Sequence, residues 1–249
     1  MEGPSLFLAQ EHLKPFKKKQ ILSAAGNTKL GTDQFVGKEV KDIFSWGKHL
    51  VFQFDTFAVR IHFMLFGTYE AQVEGEWVTG DYRRSREPRL AFTFENGVVN
   101  MYSCSVKILE TAHAKRDYDY SIDIMSPKWD GARVKELLKQ QPNEEVDDAL
   151  LDQEIFAGVG NIIKNEVLSL ERIAPQHLIK DLSDKQLTSL VARTRTYSKQ
   201  FLAWKRKFVL RKHYAIYQKG VCPHCGNKII RAKTGKRERW SYWCPIDQK

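Results

Sequence analysis

Long apolar runs are missing from this sequence, and cysteine is scarce. No segment of its 249 residues approaches the roughly 18 consecutive apolar residues a membrane-spanning helix requires. Four cysteines are too few for a disulfide-stapled secreted scaffold of this length. The opening MEGPSLFLAQEHLKPFKKK has no apolar core of signal-peptide length, so export is not expected. No internal repeat is present. What remains is an ordinary globular composition, 42% hydrophobic and 28% charged, in a chain long enough for one large domain or two modest ones.

Acidic residues are nearly absent from one region. Val191 to Lys249 carries 16 Lys and Arg against two acids, Glu238 and Asp247, a local net charge of +14. Residues 1–190 carry a net −4, so the overall +10 belongs to the C-terminal quarter alone. Trp204, Phe208, Tyr214, Tyr217, Trp240, Tyr242 and Trp243 interrupt the basic residues, which marks a folded module and not a solvated tail. Such a module calls for a polyanionic partner, either nucleic acid or an acidic membrane surface.

Residues 5–19 have the apolar spacing of a helix. From about 34 to 110 the texture is that of short strands. Leu50-Phe52-Phe54 and Leu90-Phe92-Phe94 alternate, EWVTG and SVKILE read as further strands, and Asn96-Gly97 reads as a hairpin turn. This spacing predicts an antiparallel sandwich or small barrel. Residues 111–130 are polar and irregular, and beyond them helical periodicity returns. One helix is predicted over Ala149–Phe156, broken by Gly158-Val159-Gly160-Asn161 and resumed at Ile162. Glycines at a helix start expose backbone N–H groups to an anion, and Asn161 adds an amide donor; a plain helical hairpin would look the same.

The last 34 residues are too few to fold without a staple, and they contain three of the four cysteines. Cys222-Pro-His-Cys225, then eighteen residues, then Cys244-Pro-Ile-Asp247 nearly match a two-knuckle zinc ribbon. Asp247 stands where a fourth cysteine is usual; His224 is the substitute, although its side chain should point away from a site its neighbours form. Cys104, alone in a strand, reads as a small buried hydrophobe.

Together these features resemble the Fpg/Nei family of DNA glycosylases, in order and over essentially the whole chain. MEGPSL resembles its N-terminal element, Gly47-Lys48-His49-Leu50 its strand-borne lysine motif, LLDQEIFAGVGNIIKNE its helix–two-turn–helix, and Cys222–Gln248 its zinc finger with Arg239 at the phosphate-gripping position. The resemblance implies an α+β fold: a β-sandwich domain with a leading helix (1–115), a linker (116–132), a helix–two-turn–helix domain (133–215) and a zinc-finger hairpin (216–249). Damaged double-stranded DNA would lie across the cleft between the two halves. The protein would be monomeric, cytoplasmic, bacterial and nucleoid-associated, with no membrane partner.

It also implies the chemistry. An α-amine titrates near about 7.7–8, so part of it is an unprotonated nucleophile at neutral pH. Family members attack the sugar C1′ with that amine, forming a Schiff base and then cleaving the strand by β/δ-elimination. Here Met1 stands in the place of the family's usual proline, with Glu2 as acid/base and Lys48 at the flanking phosphates. Met64, Leu65 and Phe66 would fill the space left by the extruded base, although three apolar residues before a glycine are by pattern alone more often core. Asn161 and Arg239 would bind DNA, and Cys222, Cys225, Cys244 and Asp247 a structural zinc. The short Trp204–Cys222 segment and Tyr102–Val106 resemble the Nei branch, which implies oxidised pyrimidines before oxidised purines. The rivals are a damaged-DNA binder without catalysis and a zinc-ribbon transcription factor; the latter leaves MEGP, GKHL and GVGN without a role.

Overall fold

The computed structural model describes residues 1–79 and 87–249. They divide into two compact units, one of Met1 with Gly3–Asp119, the other of Glu2 with Tyr120–Lys249. Among the described residues no helix is long and apolar enough to cross a membrane.

The first unit opens with α1 (Gly3–Leu13), where Pro4 sits in the first turn, the one place a missing N–H costs nothing. A 3₁₀ turn over Lys14–Phe16 ends the predicted first helix short of residue 19. Among the described residues seven strands follow: β1 (Ser23–Ala25), β2 (Asp42–Trp46), β3 (His49–Gln53), β4 (Ala58–Val73), β5 (Glu76–Thr79), β6 (Leu90–Phe94) and β7 (Gly97–Leu109). Gly80, the last residue of EWVTG, lies outside the described residues. All pairings are antiparallel, in the order β1-β6-β7-β4-β3-β2, with β5 on the outer half of β4. SVKILE is the continuation of β7 and not a separate strand.

The long strands β4 and β7 belong to both halves of this sheet. The first stretch of β4 pairs β3, which in turn pairs β2; the last stretch of β4 pairs β5, and the first stretch of β7 pairs β6, which in turn pairs β1. Phe52 of β3 meets Phe92 of β6 edge-on at 5.5 Å, and Phe92 also meets Phe35 at 5.4 Å. The two halves therefore close on one core, to which α1 adds Leu6, Ala9 and Leu13. The alternating residues Leu50, Phe52, Phe54, Leu90, Phe92 and Phe94 all lie inside it, as their period of two requires. The predicted Asn96-Gly97 turn is displaced by one residue: Glu95-Asn96 make the turn, and Gly97 begins β7. Glycine is needed there because φ is +149° and a Cβ would collide with the Gln72 carbonyl.

In the second unit come α2 (Gly131–Lys139), α3 (Val146–Leu151), α4 (Asn161–Leu170), α5 (Asp184–Arg206) and the hairpin β8 (Ile230–Thr234)/β9 (Arg239–Trp243). Asp130 caps α2 through Ala132 and Arg133 N–H, and Ser183 with Gln186 forms a capping box on α5. The irregular residues before α2 are packed. Ile122 and Ile124 are buried, and their backbones exchange hydrogen bonds with Ala157. Truncating Phe92 to alanine should leave a cavity among Phe35, Phe52 and Phe94 and cost about 3–5 kcal/mol, read as a lowered urea midpoint at unchanged slope.

Candidate functional site

The helix predicted over Ala149–Phe156 ends at Leu151. Asp152 turns the chain by accepting from Glu154 N–H (2.9 Å). Gln153 then clasps the loop, donating to Leu151 and Val159 carbonyls (2.8 and 3.1 Å) and accepting from Gly158 N–H (3.1 Å). This clasp delivers the chain into α4, whose first turn has N–H donors with no partner inside the helix, as any helix start does.

Those donors face an anion, but it is the protein's own and not a phosphate. Glu2 Oε1 accepts from Ile162 N–H at 2.7 Å and Oε2 from Ile163 N–H at 3.2 Å. A Cβ on Gly160 would overlap the Glu2 carboxyl, so the glycine of GVGN admits Glu2. Asn161 is partly spent as well. Its Nδ2 donates to the Trp240 carbonyl at 2.9 Å, where Asn165 Nδ2 (3.2 Å) and Lys164 Nζ (3.5 Å) also point. Asn165 Oδ1 accepts from Tyr242 N–H (2.7 Å), leaving Arg239 exposed at the start of β9.

Three tyrosines feel the charge of the Glu2 carboxylate. Tyr214 is pushed above its ordinary range by burial and then by Glu2; Tyr197 by burial, then Glu166 and Glu2. Tyr217 is raised too, burial first, with Glu2 among the smaller causes. Their hydroxyls stay protonated at neutral pH. Glu166 fixes the segment carrying two of them by accepting from Ala215, Ile216 and Tyr217 N–H at 2.9, 3.1 and 2.8 Å.

In the first unit Met1 packs against the core. Lys48 lies in the two-residue β2–β3 turn and not on a strand, because Trp46 pairs with His49 and Gly47 supplies φ +52°. Beside it two histidines face each other across β3 and β4, ring centroids 5.6 Å apart. His62 is held below its ordinary range by burial, then by the chain's N-terminal charge; a backbone hydrogen bond with Lys48 works against this, and the charges of Lys48 and Arg60 add to it. His49, stacked on Trp46 at 5.9 Å, is lowered to about 4 by burial, then by Arg60, His62 and Lys48. The N-terminal amine, Lys48 and Arg60 thus form one cationic neighbourhood in which the imidazoles stay neutral.

Met64, Leu65 and Phe66 are not core. They are 55%, 76% and 72% exposed, because β4 leaves register with β7 between Phe63 and Thr68 and the surplus residues project. Gly67 sits so close to the Ser103 carbonyl that a Cβ would lie 2.7 Å from it. Cys104 beneath is buried, its thiol pushed up to about 12 by desolvation, as expected of an inert packing residue.

The sulfurs of Cys222, Cys225 and Cys244 lie within 4.8 Å of one another. Zn–S bonds of about 2.3 Å in a tetrahedron put sulfurs roughly 3.8 Å apart, so the three fit one ion. Asn227 Nδ2 on Cys225 Sγ (3.1 Å) lowers that thiol to about 7, towards the ligating thiolate. Asp247, expected as the fourth ligand, is not in the group, nor is His224. The turn closed by Gln248 N–H on the Cys244 carbonyl (3.0 Å) carries Asp247 to Arg172, whose Nε lies 3.6 Å from Oδ1.

Several of these partners escaped the sequence reading. Gln153, Lys164, Asn165 and Glu166 look like polar residues of helix surfaces, and only the helical interval from Asn161 to Lys164 and Asn165 hinted at a shared face.

A family model described as the formamidopyrimidine-DNA glycosylase H2TH domain matches residues 122–206. Endonuclease 8-like 3 of Mus musculus is 32% identical over 86% of this chain and 35% of its own length. Probable endonuclease 8 2 of Streptomyces coelicolor is 27% identical over 99% of this chain and 93% of its own. The chain spans little more than a third of the Endonuclease 8-like 3 relatives it matches, 35% to 38%. Among solved structures, a viral DNA glycosylase (TM-score 0.84, 23% identity) and the Lactococcus lactis formamidopyrimidine-DNA glycosylase bound to DNA containing an AP site (0.83, 21%) align over the full length of both chains. These two show a common fold.

The histidine pair makes a test. The unfolded chain takes up the His49 proton near 6.5 and the folded protein only near 4, so unfolding binds protons between these values. His49's contribution is therefore complete above about pH 6.5 and declines as pH falls towards 4. Thermal melts at about pH 7.5 and 5 should show the lower midpoint at pH 5, with a smaller difference in His49→Gln.

Proposed function

The chain belongs to the Fpg/Nei family of DNA glycosylases, and from that premise we propose that it excises oxidised bases from duplex DNA in base excision repair, pyrimidines before purines, through the α-amine of Met1. The observation that carries this reading is the seating of Glu2. Its carboxylate, one residue from the amine, is buried and fixed on two backbone N–H groups. A side chain immobilised in this way is poised to receive and return protons without reorganising.

In the reaction, the Met1 nitrogen lone pair attacks C1′ of the damaged nucleotide. The C1′–base bond breaks and the base leaves with a proton; the C1′–O4′ bond then opens, O4′ takes up a proton, and a C1′=N iminium to the amine remains. Glu2 handles protons at the sugar. Loss of a C2′ proton expels the 3′ phosphate, δ-elimination releases the 5′ phosphate, and hydrolysis frees the amine. Lys48 stabilises charge on the flanking phosphates, Arg239 and Asn161 grip the backbone, and the exposed Met64, Leu65 and Phe66 occupy the vacated stack. A structural zinc held by Cys222, Cys225 and Cys244 would tie the two knuckles of the finger together.

Borohydride should trap a covalent adduct at residue 1 with oligonucleotides bearing thymine glycol or an abasic site, and Glu2→Gln should lower excision by about 10²-fold or more. Lesion binding with neither adduct nor nick would instead mean a damage binder without catalysis. For the finger, elemental analysis should find one zinc per chain, lost in Cys244→Ser.

A further inference from the structure

Lys164 is fully buried in α4, and none of the chemistry above uses it. Its ammonium donates to Ser241 Oγ at 2.7 Å and points at the Trp240 carbonyl at 3.5 Å, both on β9. Asp147 of α3, also buried, lies 3.9 Å away. Asp147 accepts from Thr234 Oγ1 of β8, and Thr234 is in turn hydrogen-bonded to Ser241 across the hairpin. One lysine thus joins α3, α4 and both strands of the hairpin through a closed ring of partners.

Such a ring is expensive. Desolvation lowers Lys164 to about 8 and raises Asp147, so both charges are held against a burial penalty. Apolar residues would fill the same space without that penalty. What a buried charge network adds is a unique register, here that of the strand whose first residue is Arg239. Lys164 also feels the charges of Arg239 and Glu2, so its ammonium lies within range of both groups proposed to act on DNA.

We propose that Lys164, paired with Asp147, is a positioning residue that sets β9 on α4 so that the exposed Arg239 meets a DNA phosphate. The proposal rests on the reading of Arg239 as a phosphate contact. Because Lys164 has no exposed surface, it touches no phosphate itself, and any effect it has on the salt dependence of binding passes through Arg239.

That property supplies the test. Affinity of the full-length protein for a duplex with one abasic-site analogue is measured between about 50 and 200 mM salt. Arg239→Ala should weaken binding about tenfold and reduce the slope of log K against log salt by about 0.9. Lys164→Met alone strands Asp147, so the charge-balanced pair Lys164→Met with Asp147→Asn is used beside it, with thermal midpoint and zinc content recorded. The expected result is a slope reduced by about 0.9 in the balanced pair and no further reduction when Arg239→Ala is added. A lower melting point with an unchanged slope would overturn the proposal and leave Lys164 a purely structural residue. An unchanged slope in Arg239→Ala itself would instead overturn the phosphate reading on which it rests.

Discussion

The carboxylate of Glu2 rests on the first N–H groups of α4, and much of the second unit is arranged around that contact. A helix start offers donors with no partner of their own and a favourable dipole, so it accepts an anion readily. Filling it with Glu2 requires a residue without Cβ at position 160 and a loop short enough to deliver the helix at the right angle. Gly160 meets the first need and the Gln153 clasp the second. The same turn of helix holds the hairpin through side chains, with Asn161, Lys164 and Asn165 converging on one carbonyl of β9. One helical turn therefore orients an acid/base candidate with its backbone and a phosphate-binding candidate with its side chains.

Charge is distributed to match. The +14 terminus carries the hairpin and its exposed arginine, where a polyanion would be gripped. The near-neutral remainder keeps a small cationic neighbourhood of the N-terminal amine, Lys48 and Arg60, beside two histidines held neutral by burial. Neutral imidazoles there add polar surface without adding repulsion.

Met64, Leu65 and Phe66 show how a pattern can mislead and a register correct it. These three apolar residues lie within β4, between Phe63 and Tyr69 of the buried core. Their exposure follows from the slip between β4 and β7, which depends on Ser103 at φ +47° and on Gly67 passing close to its carbonyl. Nothing local in the sequence distinguishes this from a continuous ladder. Likewise the aspartate at the fourth knuckle position has the right chemistry for a metal, and only the closing turn shows it directed at Arg172.

By itself the sequence determined the alternating core of the sandwich, the existence of the glycine-broken helix pair, the cysteine spacing and the segregation of charge. Each of these is a local or compositional property, readable because side-chain periodicity and turn chemistry act over a few residues. The tertiary structure decided what those elements hold. Glu2 and Ile162 are 160 positions apart, and Lys164 and Ser241 are 77 apart. A polar residue on a helix looks the same in sequence whether water or a distant strand satisfies it. Burial makes that choice, and burial is a property of the packed whole.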